Sequence, residues 1–210
     1  MKVKVCGMKH NAEEIARLGP DYLGFIFWPG SPRYFEGAFP SLPKMQGKVG
    51  VFVDASLEEI LAKIQNFQLN LVQLHGSESP AFCRRLQNAL GNVKVAIIKV
   101  FSVKDSFDFN ELTPFEDVCD FYLFDTWGKR PGGNGYGFDW HLLAGYPSLK
   151  PYFLSGGIGL EDLQELQEFF KRPEALLCHA VDVNSRFETE PGMKKTRELE
   201  EFINIVSARH

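Results

Sequence analysis

Residues 48–75 read KVGVFVDASLEEILAKIQNFQLNLVQLH and contain a complete strand–helix–strand unit. The run 48–53 is apolar and rich in valine, as in a buried strand. Ser56 and Glu59 then form the capping-box pattern that opens a helix, and apolar residues follow at helical spacing. A second apolar run begins at residue 70. A helix enclosed by two such strands predicts a parallel β–α–β unit.

The same alternation extends to both ends of the chain. Further strand-like runs are KVKVC (2–6), YLGFIF (22–27), VKVAIIKVF (93–101), DFYLFD (120–125), PYFLSGG (151–157) and LLCHAVDV (176–183). Strands this continuously apolar are buried on both faces, as in parallel sheets. About eight units predict either a doubly wound open sheet or a closed (β/α)8 barrel. With no Gly-x-Gly-x-x-Gly after the first strand, we favour an α/β fold of the TIM barrel type, as a single domain over residues 1–210.

The composition is that of an ordinary globular protein, with 44% hydrophobic and 24% charged residues. The net charge of −4 argues against a nucleic-acid partner. The apolar runs are too short for a membrane span and no secretory signal is visible, so we expect no membrane partner and a cytoplasmic location. The cysteines lack the spacing of metal or redox sites and are expected to be free thiols: Cys6, Cys83, Cys119 and Cys178.

A TIM barrel carries its chemistry at the carboxyl ends of its strands. The polar or reactive residues at those positions are Cys6, Arg33, Asp54, His75, Asp125 and Asp182. In isolation, a cysteine such as Cys6 is most often a small packing residue, and His75 is typical of a hydrogen-bonded structural histidine. No cluster has metal-ligand spacing, and no serine lies in a Gly-x-Ser-x-Gly elbow.

Two loops predict a phosphorylated ligand. Gly156-Gly157 and Asn184-Ser185 follow the seventh and eighth strands, where barrels commonly bind phosphate through backbone N–H groups. Arg33 is suited to a carboxylate, because a guanidinium donates two parallel hydrogen bonds. Asp125 ends an apolar strand and suits a proton donor. The glycine-rich loop behind it predicts a lid because it contains Trp127, Tyr136, Phe138 and Trp140.

These residues together predict acid–base chemistry on a sugar phosphate without a cofactor or a metal. A barrel that only binds such a ligand fits them equally well.

Ten short blocks identify the chain as similar to one family. They are KVCGM, GFIF, SPRY, KVGVFV, VQLHGSE, FDT, FDW, LSGGI, VDVNSRFE and PGMKK, which run in order from Lys2 to about Lys195. The ordered set resembles phosphoribosylanthranilate isomerases of tryptophan biosynthesis. The resemblance implies a (β/α)8 barrel that converts N-(5-phosphoribosyl)anthranilate to 1-(2-carboxyphenylamino)-1-deoxyribulose 5-phosphate by an Amadori rearrangement.

The resemblance also implies roles for single residues. Cys6 would be the general base, Asp125 the general acid, and Arg33 the group that holds the anthranilate carboxylate. His75 and Asp182 are expected at the substrate. Gly7 would leave room for substrate beside the Cys6 sulfur. The partner would be a small sugar phosphate, with a monomer or homodimer as the working form.

One position departs from the family pattern. Where the family commonly has Ser-Ser-Gly, this chain has Asn184-Ser185-Arg186. The change removes a residue that tolerates positive φ and adds a cation beside the expected phosphate site. Arg186 either supplements that site or points away from it. Other phosphate-binding barrels remain as alternatives, because Lys99 near the end of the fifth strand could be the catalytic lysine of an indole-forming synthase.

Overall fold

Eight parallel strands close into a barrel in the order in which they occur along the chain. The structure, a computed structural model, describes residues 1–37, 47–126 and 138–208. The strands are β1 (Lys2–Cys6), β2 (Tyr22–Ile26), β3 (Gly47–Phe52), β4 (Leu71–Leu74), β5 (Ala96–Val103), β6 (Phe121–Thr126), β7 (Tyr152–Leu154) and β8 (Cys178–Val183). The ring closes where β1 pairs with β8 in parallel. The predicted TIM barrel is confirmed.

Five α-helices pack outside the strands: α1 (Ala12–Arg17), α2 (Leu57–Phe67), α3 (Pro80–Leu90), α4 (Leu163–Phe169) and α5 (Thr196–Ser207). The predicted N-cap of α2 is present, and α3 also has an N-cap. The Ser56 hydroxyl accepts from the Glu59 amide at 3.1 Å, and the Ser79 hydroxyl accepts from the Phe82 amide at 3.2 Å. Each cap satisfies a backbone donor that the helix itself cannot pair.

Two connections differ from the regular helices that the alternation predicts. The described residues between β5 and β6 form a 3₁₀-helix, Phe109–Phe115, and those after residue 137 form another, Trp140–Gly145. Pro114 lies inside the first. Proline has no N–H to donate, which disfavours an α-helical ladder at this point. The β2–β3 connection lies partly outside the described residues, at 38–46.

Alternate residues of the strands form two separate cores. A cluster inside the barrel consists of Cys6, Val49, Val51, Leu71, Ile98, Val100, Leu123, Phe153 and Ala180. Their neighbours in sequence face the helices, as the period of two requires. Lys99 lies between two interior residues and therefore points outward, where its Nζ is 3.0 Å from a carboxylate oxygen of Glu78. This placement removes Lys99 from the barrel mouth, and with it the alternative of a catalytic lysine there.

A short antiparallel hairpin follows β8 and is formed by β9 (Glu188–Glu190) and β10 (Met193–Lys194). Asn11, at the start of α1, binds both backbone groups of Lys194: its Nδ2 donates to the carbonyl at 2.9 Å and its Oδ1 accepts from the amide at 3.0 Å. The hairpin is thereby tied to the loop after β1. Among the described helices, none has the length and apolar character needed to cross a membrane.

Candidate active site

Cys6 lies at the carboxyl end of β1, inside the barrel and only 5% exposed. It pairs in register with Gly24 of β2. Burial raises the pKa of the Cys6 thiol, and the positive charges of Lys4 and Lys194 oppose that rise. Burial and the two ammonium groups thus act on ionisation of this thiol in opposite directions.

Lys4 forms a buried ion pair beneath Cys6. Its Nζ is 2.6 Å from Asp182 Oδ2, and the side chains are 0% and 6% exposed. Burial disfavours the ammonium, but the Asp182 carboxylate outweighs it and raises the pKa of Lys4. Sequence reasoning missed Lys4. Its position two residues before Cys6 in a strand was the available signal, because such residues share one face.

Asp125 and His75 approach each other at the ends of β6 and β4. His75 Nε2 is 3.5 Å from Asp125 Oδ2, and both side chains are partly exposed. On the other side of the ring, His75 Nδ1 lies 3.1 Å from Gln73 Nε2. The Gln73 amide can donate to Nδ1, while the other ring nitrogen, Nε2, faces Asp125. His75 thus belongs to the same side of the mouth as Asp125.

The loops after β7 and β8, where a phosphate site was predicted, are joined by a hydrogen bond. Gly156 and Gly157 have φ angles of +113° and +75°, and a Cβ on Gly156 would collide with Thr126 Oγ1. Arg186 spans the two loops. Its Nε donates to the Gly157 carbonyl at 3.2 Å, and its Nη1 is 3.1 Å from Glu161. The guanidinium therefore lies beside Gly157 rather than pointing away from it.

Arg33 is held by a residue that sequence reasoning missed. Its Nε and Nη2 donate to the Glu188 carboxylate at 2.6–3.0 Å, and Lys194 Nζ is 2.6 Å from the same carboxylate. A Cβ on Gly7 would stand 2.6 Å from Asn184 Oδ1 and 2.8 Å from Arg33 Cδ. Gly7 therefore makes room for these two side chains, and the expectation that it leaves room for substrate beside the sulfur stays a prediction.

The remaining sequence candidates divide into three groups. Trp127 and Tyr136 of the expected lid lie outside the described residues. Phe138 and Trp140 are buried, and Trp140 packs edge-on against Phe169, so these two rings are part of the core. Asp54 has a structural role, because its Oδ1 accepts from the Ser77 amide at 2.6 Å and joins the loops after β3 and β4.

Cys83, Cys119 and Cys178 are free and buried, as is Cys6, and burial raises the pKa of Cys83 to about 11 and those of Cys119 and Cys178 to about 12. Such thiols are unreactive near neutral pH. Within residues 1–37, 47–126 and 138–208, no three His, Cys, Asp or Glu side chains are arranged to hold a metal ion.

Comparisons with known proteins agree with one another. The family model of N-(5′-phosphoribosyl)anthranilate isomerase matches residues 2–205. The isomerase of that name from Phocaeicola vulgatus is 40% identical over 206 residues, which cover 97% of each chain. Among solved structures, monomers generated from the dimeric phosphoribosylanthranilate isomerase of Thermotoga maritima are 29% identical, with a TM-score of 0.77 and 99% of each chain covered.

A second solved structure contains a ligand. It is a phosphoribosylanthranilate isomerase in complex with reduced 1-(o-carboxyphenylamino)-1-deoxyribulose 5-phosphate, 29% identical, with a TM-score of 0.79 and 99% of each chain covered.

Proposed function

The chain belongs to the N-(5′-phosphoribosyl)anthranilate isomerase family, and we propose that Cys6 and Asp125 carry out the proton transfers of its reaction. That reaction is the Amadori rearrangement of N-(5-phosphoribosyl)anthranilate to 1-(2-carboxyphenylamino)-1-deoxyribulose 5-phosphate, a step of tryptophan biosynthesis. The protein is therefore an isomerase whose ligand is a sugar phosphate.

The observation that carries the assignment is the placement of the two residues in the ring of strands. β1 and β6 are separated by β8 and β7 on the shorter way around the barrel. In each of the two strands, the last residue of the inward-facing row is Cys6 or Asp125, so the two side chains approach the mouth from different walls. A sugar bound between them would have the acid on one side and the base on the other.

The reaction then proceeds in three steps. The Asp125 carboxyl protonates the furanose ring oxygen, the C1–O bond breaks, and the nitrogen lone pair forms a C1=N iminium. The Cys6 thiolate removes the proton from C2, whose acidity the iminium has raised, and the bonding pair forms a C1=C2 enolamine. Loss of the O2 proton and protonation at C1 then give the ketose.

Charges around Cys6 support its role as the base. A free thiol ionises at a pKa of about 8.5, and burial makes ionisation harder still. The ammonium groups of Lys4 and Lys194 act in the opposite direction, and the iminium adds a further positive charge during the reaction. The thiolate is thus stabilised at the step that needs it.

Anion-binding groups lie at two places around the mouth. Arg33 would receive the anthranilate carboxylate, and the amides of Gly156-Gly157 and Asn184-Ser185 would receive the phosphate, with Arg186 beside them. Asp182 and His75 would bind the sugar hydroxyls. All of these residues belong to one chain, so a monomer or a homodimer would contain complete sites.

The test is complementation of a tryptophan auxotroph that lacks the isomerase. We expect wild type to restore growth, and Cys6→Ala and Asp125→Asn to fail, with kcat/KM of each purified variant lowered about 100- to 10,000-fold. Cys178→Ala removes another buried thiol and is the matched control, expected to grow. Equal growth of all variants would contradict the mechanism, and no growth with wild type would contradict the assigned reaction.

A further inference from the structure

Glu188 occupies one edge of the Arg33 guanidinium. The two residues are 155 positions apart in sequence, and Nε and Nη2 of Arg33 both donate to the carboxylate. A guanidinium has a second edge, formed by its two terminal nitrogens, which also accepts a carboxylate in a bidentate manner. Among the described residues, none accepts a hydrogen bond from Nη1 of Arg33. The contact with Glu188 therefore directs the Nη1–Nη2 edge away from the hairpin.

The Glu188 carboxylate is itself held firmly. Its side chain is 4% exposed, and its Oε1 also accepts from Lys194 Nζ at 2.6 Å and from the Gly192 amide at 3.1 Å. Burial opposes ionisation, but the hydrogen bonds from Arg33 and Lys194 outweigh burial and lower the pKa of Glu188. A carboxylate with this many donors is a rigid support for the arginine.

Lys194 extends the same network to the loop after β8. Its side chain is fully buried, and Nζ donates to the backbone carbonyl of Asn184 at 3.2 Å and to its Oδ1 at 2.7 Å. Together with the bond to Glu188, these contacts use all three ammonium hydrogens. A continuous chain of charge-assisted hydrogen bonds thus joins Arg33 to Asn184.

We propose that Glu188, held by Lys194, is a positioning residue that aims Arg33 at the carboxylate of the substrate and fixes its distance from the phosphate-binding loops. The inference rests on the proposed function. The network has one net positive charge, from two cations and one anion, so it still attracts an anionic substrate group. Removing the Glu188 charge would leave the arginine present but free to rotate, and recognition of the carboxylate would weaken.

The experiment measures dissociation constants for two probes by calorimetry. One is reduced 1-(2-carboxyphenylamino)-1-deoxyribulose 5-phosphate, and the other is the same compound with an unsubstituted phenyl ring. The ratio of the two constants reports recognition of the carboxylate alone, because both probes share the sugar and the phosphate. Thermal melts and turnover of the true substrate are recorded for each variant.

We expect wild type to prefer the carboxylated probe, and Arg33→Met to lose that preference. Glu188→Gln should reduce the preference about tenfold. Glu188→Asp is the second variant, for use where Glu188→Gln folds poorly, and it should reduce the preference by the same factor. In the Arg33→Met background, Glu188→Gln should not change the preference for the carboxylated probe any further. Glu78→Gln is the matched control, because Glu78 is also a buried carboxylate that accepts from a lysine and from backbone amides. Glu78→Gln should prefer the carboxylated probe as strongly as wild type does.

Two results would overturn the inference and are distinguishable. If both Glu188 variants keep the wild-type preference while Arg33→Met loses it, Glu188 does not position the arginine. If wild type neither binds the probes nor turns over the substrate, the proposed function fails, and the role of Glu188 fails with it.

Discussion

Gly24 lies so close to Cys6 across the β1–β2 pair that a Cβ at residue 24 would stand 2.8 Å from the sulfur and 3.1 Å from the Cα of Cys6. Real Cβ atoms do not approach other atoms this closely. The side chain of Cys6 therefore has its present position only because residue 24 has none. This contact predicts how the Cys6 thiol can be displaced without being removed.

Gly24→Ala should lower kcat/KM about 100-fold, because an added methyl group displaces the Cys6 sulfur and such misplacement is costly for proton transfer. The free energy of unfolding should fall by about 1–3 kcal/mol from overpacking. Steady-state kinetics and urea unfolding measure the two effects. Gly50→Ala is the control, since its Cβ would meet Leu69 and Phe52 and not Cys6. Equal loss of activity in both variants would show that the position of the thiol is not the cause.

Lys4→Met should raise the pKa of Cys6, because the variant removes a positive charge that opposes the effect of burial on the thiol. The rate of Cys6 alkylation by iodoacetamide, followed by peptide mass spectrometry, should shift to higher pH, and kcat/KM at neutral pH should fall. Breaking the buried pair should also cost about 3–5 kcal/mol of stability.

Lys99→Met provides the comparison for this loss of stability. It breaks another buried lysine–carboxylate pair, on the outer face of the barrel. We expect a similar decrease in the unfolding free energy and no change in the alkylation profile of Cys6. A shift of that profile in Lys99→Met, or none in Lys4→Met, would refute the electrostatic explanation.

His179 should make the protein less stable as pH falls from about 6.5. Burial of the ring and, to a smaller extent, the positive charge of Lys2 lower the pKa of His179 from 6.5 to about 4. The His179 Nε2 atom lies 2.7 Å from the Tyr22 hydroxyl. Between these values the unfolded chain binds a proton that the folded protein does not, so stability is lost on acidification. Because the ring is partly exposed, we expect a loss of about 1 kcal/mol between pH 6.5 and 5.

Urea unfolding at several pH values measures this effect. His179→Gln should be nearly insensitive to pH over the same interval, whereas His141→Gln should behave as wild type, since the His141 side chain is 69% exposed. An unchanged pH dependence in His179→Gln would assign the loss to other groups.

Arg186→Ala should raise KM about two- to fivefold and leave kcat nearly unchanged, because a partly exposed cation near the phosphate loops contributes a modest, screened attraction. Competitive inhibition by inorganic phosphate should weaken by the same factor, and the difference from wild type should shrink at high salt. Lys171→Ala removes an exposed cation of another ion pair as the control. An unchanged KM would exclude a phosphate-binding role for Arg186.

Sequence patterns predicted most of the barrel because their causes are local. The alternation of strands and helices, the cap at Ser56, and the direction of residues along each strand depend on near neighbours in the chain. The two 3₁₀ connections were missed, since short irregular segments have weak periodicity. Reading the inward row of β1 from Cys6 back to Lys4 would have added that lysine to the candidate site.

The sequence by itself determined the family resemblance, the eight strands and the residues that end them, including Cys6 and Asp125. Only the tertiary structure decided which charges meet. Lys4 pairs with Asp182 and Arg33 with Glu188 across separations of 178 and 155 residues, and Lys194 joins the second pair to Asn184. The reason is physical: an ion pair depends on distance and burial, and closure of the barrel brings these distant residues together.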